Sequence, residues 1–123
     1  MSDDGGSSRG WHQYVRDMIQ FGENVVSFTD GMDMAVFVED ARTYHAVLRN
    51  LELIGEAASH IPLGVRDAFP KIDWRRIVSF RNRLAHAYFR IDDDIVWDIV
   101  TKDIPSLLPQ LRHLIETAGR EDE

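Results

Sequence analysis

The fold is decided by residues 33–60, DMAVFVEDARTYHAVLRNLELIGEAASH. Apolar side chains recur here at intervals of three and four residues, which is the spacing of one face of an α-helix. Asp33 precedes the run and is predicted to cap its N-terminus. The run covers about 27 residues and exceeds the usual length of a helix in a soluble protein, which predicts either a kink or an element that spans a dimer. Its apolar stripe comprises Val36, Phe37, Tyr44, Val47, Leu48, Leu51, Ile54, Gly55 and Ala58.

A second helical pattern precedes this run, from Trp11 to about Phe28. Gly22 weakens the pattern in the middle without abolishing it. The sequence Thr29-Asp30-Gly31 is expected to end this helix, because glycine and aspartate favour turns. Residues 1–10 are rich in Gly, Ser and Asp, and are predicted to form a disordered N-terminal tail.

Three further helical regions follow residue 60. A short connecting helix is predicted near residues 65–69, and a third major helix from about Asp73 to Phe89. A last helical region begins at Asp92 or Asp93 and continues to Ile115, with Pro105 expected to kink or split it because proline lacks the backbone N–H. No alternating strand pattern is present. The prediction is an all-α, up-and-down bundle of four principal helices plus a short connecting helix over residues 11–117, followed by an acidic C-terminal tail at 118–123.

Length and composition limit the class of protein. A chain of 123 residues forms one domain with a single core. It contains no cysteine, which excludes disulfides and thiolate metal sites. No run approaches the roughly 18 to 20 apolar residues of a membrane span, and the first ten residues lack an apolar signal core. We therefore expect a cytoplasmic protein that does not act at a membrane.

The charge is distributed unevenly. The net charge of −7 disfavours a protein that coats nucleic acid non-specifically. Residues 71–90 nevertheless carry six basic side chains against the single acid Asp73. A basic island in an acidic chain predicts a local phosphate site rather than a broad nucleic-acid surface.

The third helical region contains an unusual polar sequence, Arg81-Asn82-Arg83-Leu84-Ala85-His86-Ala87-Tyr88. On one helix, Arg81 and Tyr88 lie almost two turns apart and project from the same face. Asn82 and His86 form an i,i+4 pair that could bond each other or one shared ligand. Because each buried polar group needs a partner, core packing would not select so many of them. We interpret this stretch as a site.

The motif resembles the Arg-x4-His-x-Tyr signature of HepT-like toxins, a branch of the HEPN ribonucleases. The likeness extends to the flanking sequence and covers roughly residues 11–117. Arg-x4-His alone would be a weak signal, and Asn82, Tyr88 and the flanking segments make it specific. Those segments are Gly31-Met32-Asp33, Arg49-Asn50-Leu51-Glu52-Leu53-Ile54-Gly55-Glu56-Ala57, Trp74, Tyr88-Phe89 and Ile95-Val96-Trp97.

The resemblance implies a specific activity and set of partners. Members of the family form helical homodimers in which two copies of the motif line a shared cleft and cut RNA without a metal ion, so no cofactor is expected. They are toxins of type VII-like toxin–antitoxin systems. A minimal nucleotidyltransferase antitoxin neutralises them by transferring AMP to the motif tyrosine. Arg81 and His86 would then be catalytic, Asn82 a supporting polar residue and Tyr88 the AMPylation target, while the RNA (tRNA or mRNA) stays open.

The chemistry of these side chains fits RNA cleavage. Histidine titrates near neutrality and can act as acid or base, while arginine binds phosphate oxygens in a fork. On an ideal helix the step from Arg81 to His86 turns about 140°, so the two do not converge on one phosphate. A two-fold axis would bring both copies together, and dimerisation is therefore a mechanistic hypothesis. AMP on Tyr88 would block the cleft and neutralise Arg81.

Other readings stay open. Arg83 and Arg76 are candidates for contacts to RNA phosphates. The alternative is a solvated charge for Arg83 and ion pairing to the many acids for Arg76. Glu52 and Glu56 could pair with Arg49 or with basic residues of the motif. The remaining histidines, His12, His45, His60 and His113, are interpreted as structural and show no zinc-ligand spacing. The rival function is a catalytically silent helical interaction module that binds a nucleotidyltransferase and a nucleotide or nucleic acid.

Overall fold

The computed structural model describes residues 10–89 and 92–118, and all regular structure in them is helical. The predicted all-α class is confirmed. Of the predicted tails, residues 1–9 and 119–123 lie outside the described residues. The α-helices are α1 (Trp11–Thr29), α2 (Met34–Glu39), α3 (Ala41–Ser59), α4 (Leu63–Ala68), α5 (Trp74–Val78), α6 (Phe80–Arg83), α7 (Asp93–Asp98) and α8 (Ile104–Ala118). A 3₁₀ helix covers Ala85–Phe89, and a π-helical stretch, Ile99–Asp103, joins α7 to α8.

Helix α3 is the centre of the bundle. It packs against α1 on one side and against α5 and α6 on the other, while α8 covers another part of α1. The predicted apolar stripe of α3 forms its buried face, since these side chains repeat at helical spacing and leave water together. The buried residues of α3 are Tyr44, Val47, Leu48, Leu51, Ile54, Gly55, Ala57 and Ala58.

The long run that begins at Asp33 is divided at Asp40, so the predicted kink is present. The Asp33 side chain accepts a hydrogen bond from the Val36 amide at 2.9 Å and caps α2 as predicted. Asp40 then adopts an extended backbone, and its carboxylate accepts from the Thr43 amide at 3.1 Å. Because Asp40 satisfies the first turn of a new helix, α2 ends and α3 starts in another direction.

The prediction of one continuous helix from Asp73 to Phe89 is wrong. The segment consists of α5, α6 and the 3₁₀ helix, with breaks at Ser79 and Leu84. Its buried side chains recur mostly every third residue, closer to the three residues per turn of a 3₁₀ helix than to 3.6. Turns of about three residues in this segment therefore keep its apolar side chains on the side that faces α3. These side chains are Trp74, Ile77, Phe80, Leu84 and Ala87.

The last helical region begins after Asp92, as predicted, but the Asp92 side chain makes no capping hydrogen bond. Pro105 does not split the region, because Ile99 and Ile104 both keep right-handed helical backbone angles. The π-helical stretch ends at Asp103, two residues before Pro105, so the regular hydrogen-bond ladder is already altered there and a missing N–H is tolerated. Within the part of the chain that the structure describes, no helix is both long and apolar enough to cross a membrane.

Candidate active site

Arg81 is held at the surface of the bundle by Glu56 of α3. Its Nη1 lies 3.4 Å from Oε1 of Glu56, and the other carboxylate oxygen of Glu56 lies 3.2 Å from Nε2 of His60. The guanidinium is mostly exposed, so solvent screens the pair and its contribution to folding is small. Of the basic partners that the sequence allows for Glu56, the structure therefore shows Arg81 of the motif.

Tyr88 is bound to the other acid of α3. Partial burial and a hydrogen bond to the carboxylate of Glu52 raise the pKa of the Tyr88 phenol to about 12. Arg49 acts in the opposite direction and lies 3.9 Å from Glu52. The ring of Tyr88 also stacks near that of His45, with centroids 6.3 Å apart. The phenol is thus neutral at physiological pH, with a carboxylate placed to accept its proton.

A cleft of about 530 Å³ joins these groups. It runs between α3 and the motif segment, and both Arg81 and Tyr88 line it together with Asn82. The opposite wall is the acidic side of α3, so positive and negative groups face the same space. The full lining is Glu52, Gly55, Glu56, Ser59, Val78, Arg81, Asn82, Ala85 and Tyr88.

Gly55 allows the two walls of this cleft to meet. A Cβ atom at this position would lie 3.1 Å from the carbonyl oxygen of Ile77 and 3.4 Å from the Cβ of Phe80. Any larger residue would push α5 and α6 away from α3. The glycine in the family-like segment of α3 therefore sets the distance between the acids of that helix and the motif.

His86 does not line this cleft. It lies on the 3₁₀ helix, its side chain is 69% exposed, and its Nδ1 is 3.2 Å from Oδ2 of Asp92 at the start of α7. The possible bond between His86 and Asn82 is replaced by this contact, because the turn at Leu84 interrupts the regular helix between them. Within one chain, Arg81, Asn82 and Tyr88 are brought together and His86 is directed elsewhere.

A buried tyrosine anchors the segment that carries His86. Tyr44 of α3 donates to Oδ1 of Asp93 at 2.5 Å and lies 3.3 Å from the carbonyl oxygen of Ala87. Ala87 follows His86 and Asp93 follows Asp92, so one hydroxyl connects both sides of the His86–Asp92 pair. The sequence placed Tyr44 in the apolar stripe and gave no signal for this polar role.

Arg76 and Arg83 share one carboxylate on the opposite side of the motif segment. Arg76 Nε lies 2.7 Å from Oδ2 of Asp103, and Arg83 Nη1 lies 3.7 Å from the same oxygen. The hydrogen bond to Asp103 raises the pKa of Arg76 above its ordinary value. The alternative of ion pairing is therefore realised for Arg76, and Arg83 also lies beside this carboxylate rather than being fully solvated. The contact of either residue with RNA phosphates stays a prediction.

The other histidines make structural contacts. His12 is buried and stacks on Trp11, His60 pairs with Glu56, and His113 packs edge-on against Phe69. Among residues 10–89 and 92–118, no three His, Asp or Glu side chains are grouped so as to hold a metal ion.

The chain is an all-helical domain that carries a polar segment at residues 81–88. Comparisons with known proteins identify the family to which this domain belongs. The HepT-like family model, described as "Ribonuclease HepT-like", matches residues 18–114. This chain belongs to the HepT-like ribonuclease family. "Probable ribonuclease HepT" of Thermococcus cleftensis is 38% identical over 99 residues, covering 80% of this chain and 90% of the relative.

Two proteins of Methanocaldococcus jannaschii are similar over comparable lengths. The one named "Putative RNase MJ1380" is 36% identical over 101 residues, and the match covers 82% of this chain and 93% of the relative. "Putative RNase MJ0127" is 32% identical over 110 residues, with coverage of 89% and 91%. No solved structure matches the chain significantly.

Proposed function

We propose that this protein is a metal-independent endoribonuclease and the toxin of a type VII-like toxin–antitoxin system, acting in the cytoplasm as a homodimer. A cognate minimal nucleotidyltransferase would neutralise it by AMPylation of Tyr88. Membership of the HepT-like ribonuclease family and the names of the relatives support the activity on RNA. The single observation that carries the proposal is the placement of Arg81, Asn82 and Tyr88 in one cleft, with His86 exposed on the adjoining 3₁₀ turn.

The proposed reaction is a transesterification within RNA. One imidazole of His86 accepts the proton of the ribose 2′-hydroxyl, and the 2′-oxygen attacks phosphorus while the bond to the 5′-oxygen breaks. The second copy of His86, as imidazolium, donates a proton to the leaving 5′-oxygen. Arg81 stabilises the negative charge that develops on the phosphoryl oxygens. The products are a 2′,3′-cyclic phosphate and a 5′-hydroxyl, and the proton balance of the histidine pair is restored by exchange with water.

The homodimer is supported by two features of the single chain. Arg81 faces the cleft beside α3 while His86 faces Asp92, so one subunit alone does not present both to a phosphate. Next to them, Phe89 is 75% exposed. Aromatic side chains are enriched at protein–protein interfaces, and Phe89 lies beside the motif, where the proposed second subunit would cover it. The composite site would then lie at the symmetry axis.

AMPylation of Tyr88 is supported by its accessibility and surroundings. The phenol is partly exposed at the mouth of the cleft, and Arg81 lines the same space. An attached AMP would place its phosphate near that guanidinium and compete with RNA for the same positive charge. Modification would therefore block the cleft and neutralise the group that RNA needs.

The ribonuclease activity is tested with protein purified without its partner, incubated with total RNA in the presence of EDTA. We expect cleavage by the wild type and by His113→Ala, which alters another exposed histidine, and no cleavage by His86→Ala. Ends carrying a cyclic phosphate would identify the transesterification. Equal RNA integrity with wild type and His86→Ala would refute the proposal.

The modification is tested with the cognate nucleotidyltransferase, ATP and Mg²⁺. Mass spectrometry of the intact chain should show addition of AMP to the wild type and to Tyr14→Phe, with loss of addition in Tyr88→Phe. Retention of the adduct in Tyr88→Phe would refute the site.

The assembly is tested by light scattering after size-exclusion chromatography. The wild type is expected to have the mass of a dimer, and Phe89→Glu that of a monomer with little activity. A wild-type monomer that still cleaves RNA would contradict the composite site.

The silent interaction module remains the alternative, favoured by the ion pair with Glu56 that occupies Arg81 in the single chain. It would bind the nucleotidyltransferase and a nucleotide without cutting RNA. Binding of the partner by a wild type that leaves RNA intact would favour it.

A further inference from the structure

We infer that Asp92 is a positioning residue for His86: its carboxylate accepts the Nδ1 proton and so leaves Nε2 as the atom that faces RNA. This inference rests on the proposed ribonuclease function and specifies which nitrogen of His86 takes part in it. It assigns a role to an aspartate that lies outside the Arg-x4-His-x-Tyr motif.

The geometry of the pair supports this role. Nδ1 of His86 lies 3.2 Å from Oδ2 of Asp92, within reach of a hydrogen bond. The His86 side chain is 69% exposed, whereas that of Asp92 is 23% exposed. The Asp92 carboxylate is thus the more buried partner, and the imidazole of His86 is largely open to solvent. Asp92 can therefore support the ring at Nδ1 while Nε2 is left to react.

Comparison with the other helix caps of the same chain strengthens the inference. Asp33, Asp40 and Asp73 each precede a helix, and each side chain accepts a hydrogen bond from the backbone amide three residues later. Asp92 precedes α7 in the same way, yet its side chain makes no capping bond. A capping aspartate stabilises the first turn of a helix by accepting a hydrogen bond from an otherwise unpaired amide. Asp92 does without this stabilisation while its carboxylate contacts His86.

The backbone on both sides of the pair is fixed by Tyr44. Its fully buried hydroxyl contacts the carbonyl of Ala87 and the carboxylate of Asp93, the residues that follow His86 and Asp92. A side chain from the centre of α3 therefore holds the 3₁₀ helix and the start of α7 in register. Tyr44 thus connects the residues that follow His86 and Asp92 to the core of the domain.

The chemical consequence concerns the tautomer of the neutral imidazole. A carboxylate at Nδ1 favours the form with the proton on that atom, which leaves the lone pair on Nε2. Nε2 can then accept the proton of the 2′-hydroxyl, and the carboxylate stabilises the imidazolium that forms. Without Asp92 the neutral ring would divide between its two tautomers, and only one of them would be productive.

The test uses the full chain labelled with ¹⁵N, and compares the wild type with Asp92→Asn. His86 is assigned by its loss in His86→Ala, and long-range ¹H–¹⁵N spectra report which ring nitrogen carries the proton. We expect the Nδ1-protonated form in the wild type and a shift towards the Nε2-protonated form in Asp92→Asn. The kcat for RNA cleavage should fall by about 10-fold to 100-fold in that variant, with little change in KM.

Two further variants separate positioning from charge and folding. Asp94→Asn removes the same charge from an exposed site two residues away and should leave the tautomer and kcat unchanged. Asp92→Ser retains an oxygen that can cap α7 but should lose the tautomer preference. An unchanged tautomer in both Asp92 variants, or equal effects of Asp94→Asn, would overturn the inference. A wild type that shows the tautomer but cuts no RNA would instead overturn the proposed function.

Discussion

The Nη1 atom of Arg81 lies 3.4 Å from Oε1 of Glu56, so the motif arginine is already bound to a carboxylate before any substrate arrives. The same carboxylate contacts His60. A phosphate of RNA would have to displace Glu56 or bind the remaining nitrogens of the guanidinium. The acid on α3 therefore acts as a competitor for the substrate of the proposed reaction.

Removal of this competitor should strengthen RNA binding. In a His86→Ala background, which prevents cleavage, Glu56→Gln is expected to lower the Kd for RNA by about 1.5-fold to fivefold at low salt, the range of an exposed ion pair. The gain should shrink at high salt because screening weakens the attraction of Arg81 for phosphate. Fluorescence anisotropy with a labelled oligonucleotide measures it. Glu39→Gln, an exposed acid at the end of α2, is the control, and equal effects of both would refute a local competition.

The phenol of Tyr88 should ionise at unusually high pH. Its pKa is raised from 10.0 to about 12 by partial burial and by the carboxylate of Glu52. The ultraviolet difference spectrum between wild type and Tyr88→Phe should therefore show the phenolate of Tyr88 only near pH 12, and at lower pH in Glu52→Gln. Ionisation near pH 10 in the wild type would contradict the contact with Glu52.

The same shift affects stability in a defined direction. The pKa of Tyr88 is higher in the folded chain than in the unfolded chain. The contribution of the neutral phenol to the free energy of unfolding is therefore complete below about pH 10 and is lost as the pH rises through about 12. In urea unfolding, the free energy of unfolding of the wild type should accordingly fall relative to that of Tyr88→Phe over this range. A wild type that gains stability relative to Tyr88→Phe as the pH rises there would have the wrong sign.

Gly55 should tolerate no side chain. A Cβ would lie 3.1 Å from the Ile77 carbonyl oxygen, and overpacking of this kind costs about 1–3 kcal/mol. Higher helix propensity offsets at most about 1 kcal/mol, so Gly55→Ala should lower the free energy of unfolding. Gly64→Ala is the matched control, since nothing lies within 4 Å of its Cβ position. Urea denaturation should show a lower free energy of unfolding for Gly55→Ala and a slightly higher one for Gly64→Ala. The reverse order would contradict the close approach of α3 and α5.

Tyr44→Phe should weaken the attachment of the motif segment to α3. The hydroxyl is fully buried and bonds Asp93 at 2.5 Å, so its removal leaves a carboxylate oxygen and the Ala87 carbonyl without this donor. We expect a loss of about 1–3 kcal/mol in the free energy of unfolding. Hydrogen exchange at the amides of Ala87 and Tyr88 should accelerate more than exchange in the middle of α1. A uniform change across all helices would indicate general destabilisation instead.

The helical class and the buried faces followed from the sequence because they depend on local spacing. The stripe of α3 and the cap at Asp33 were predicted from residue types within a few positions of each other, and both are present. The breaks at Ser79 and Leu84 were missed. The spacing of about three residues between the buried side chains of this segment is present in the sequence, but the close approach of the segment to α3 at Gly55 depends on packing between separate helices.

The sequence by itself determined that this chain forms an all-helical domain and carries Arg81, Asn82, His86 and Tyr88 within one short segment. Only the tertiary structure decided which of them share a cleft and which acids they meet. Glu56 and Glu52 reach the segment from α3, and Asp92 reaches His86 from the start of α7. Helix formation depends on neighbours along the chain, whereas these contacts depend on how separate helices pack, and packing is set by the whole core at once.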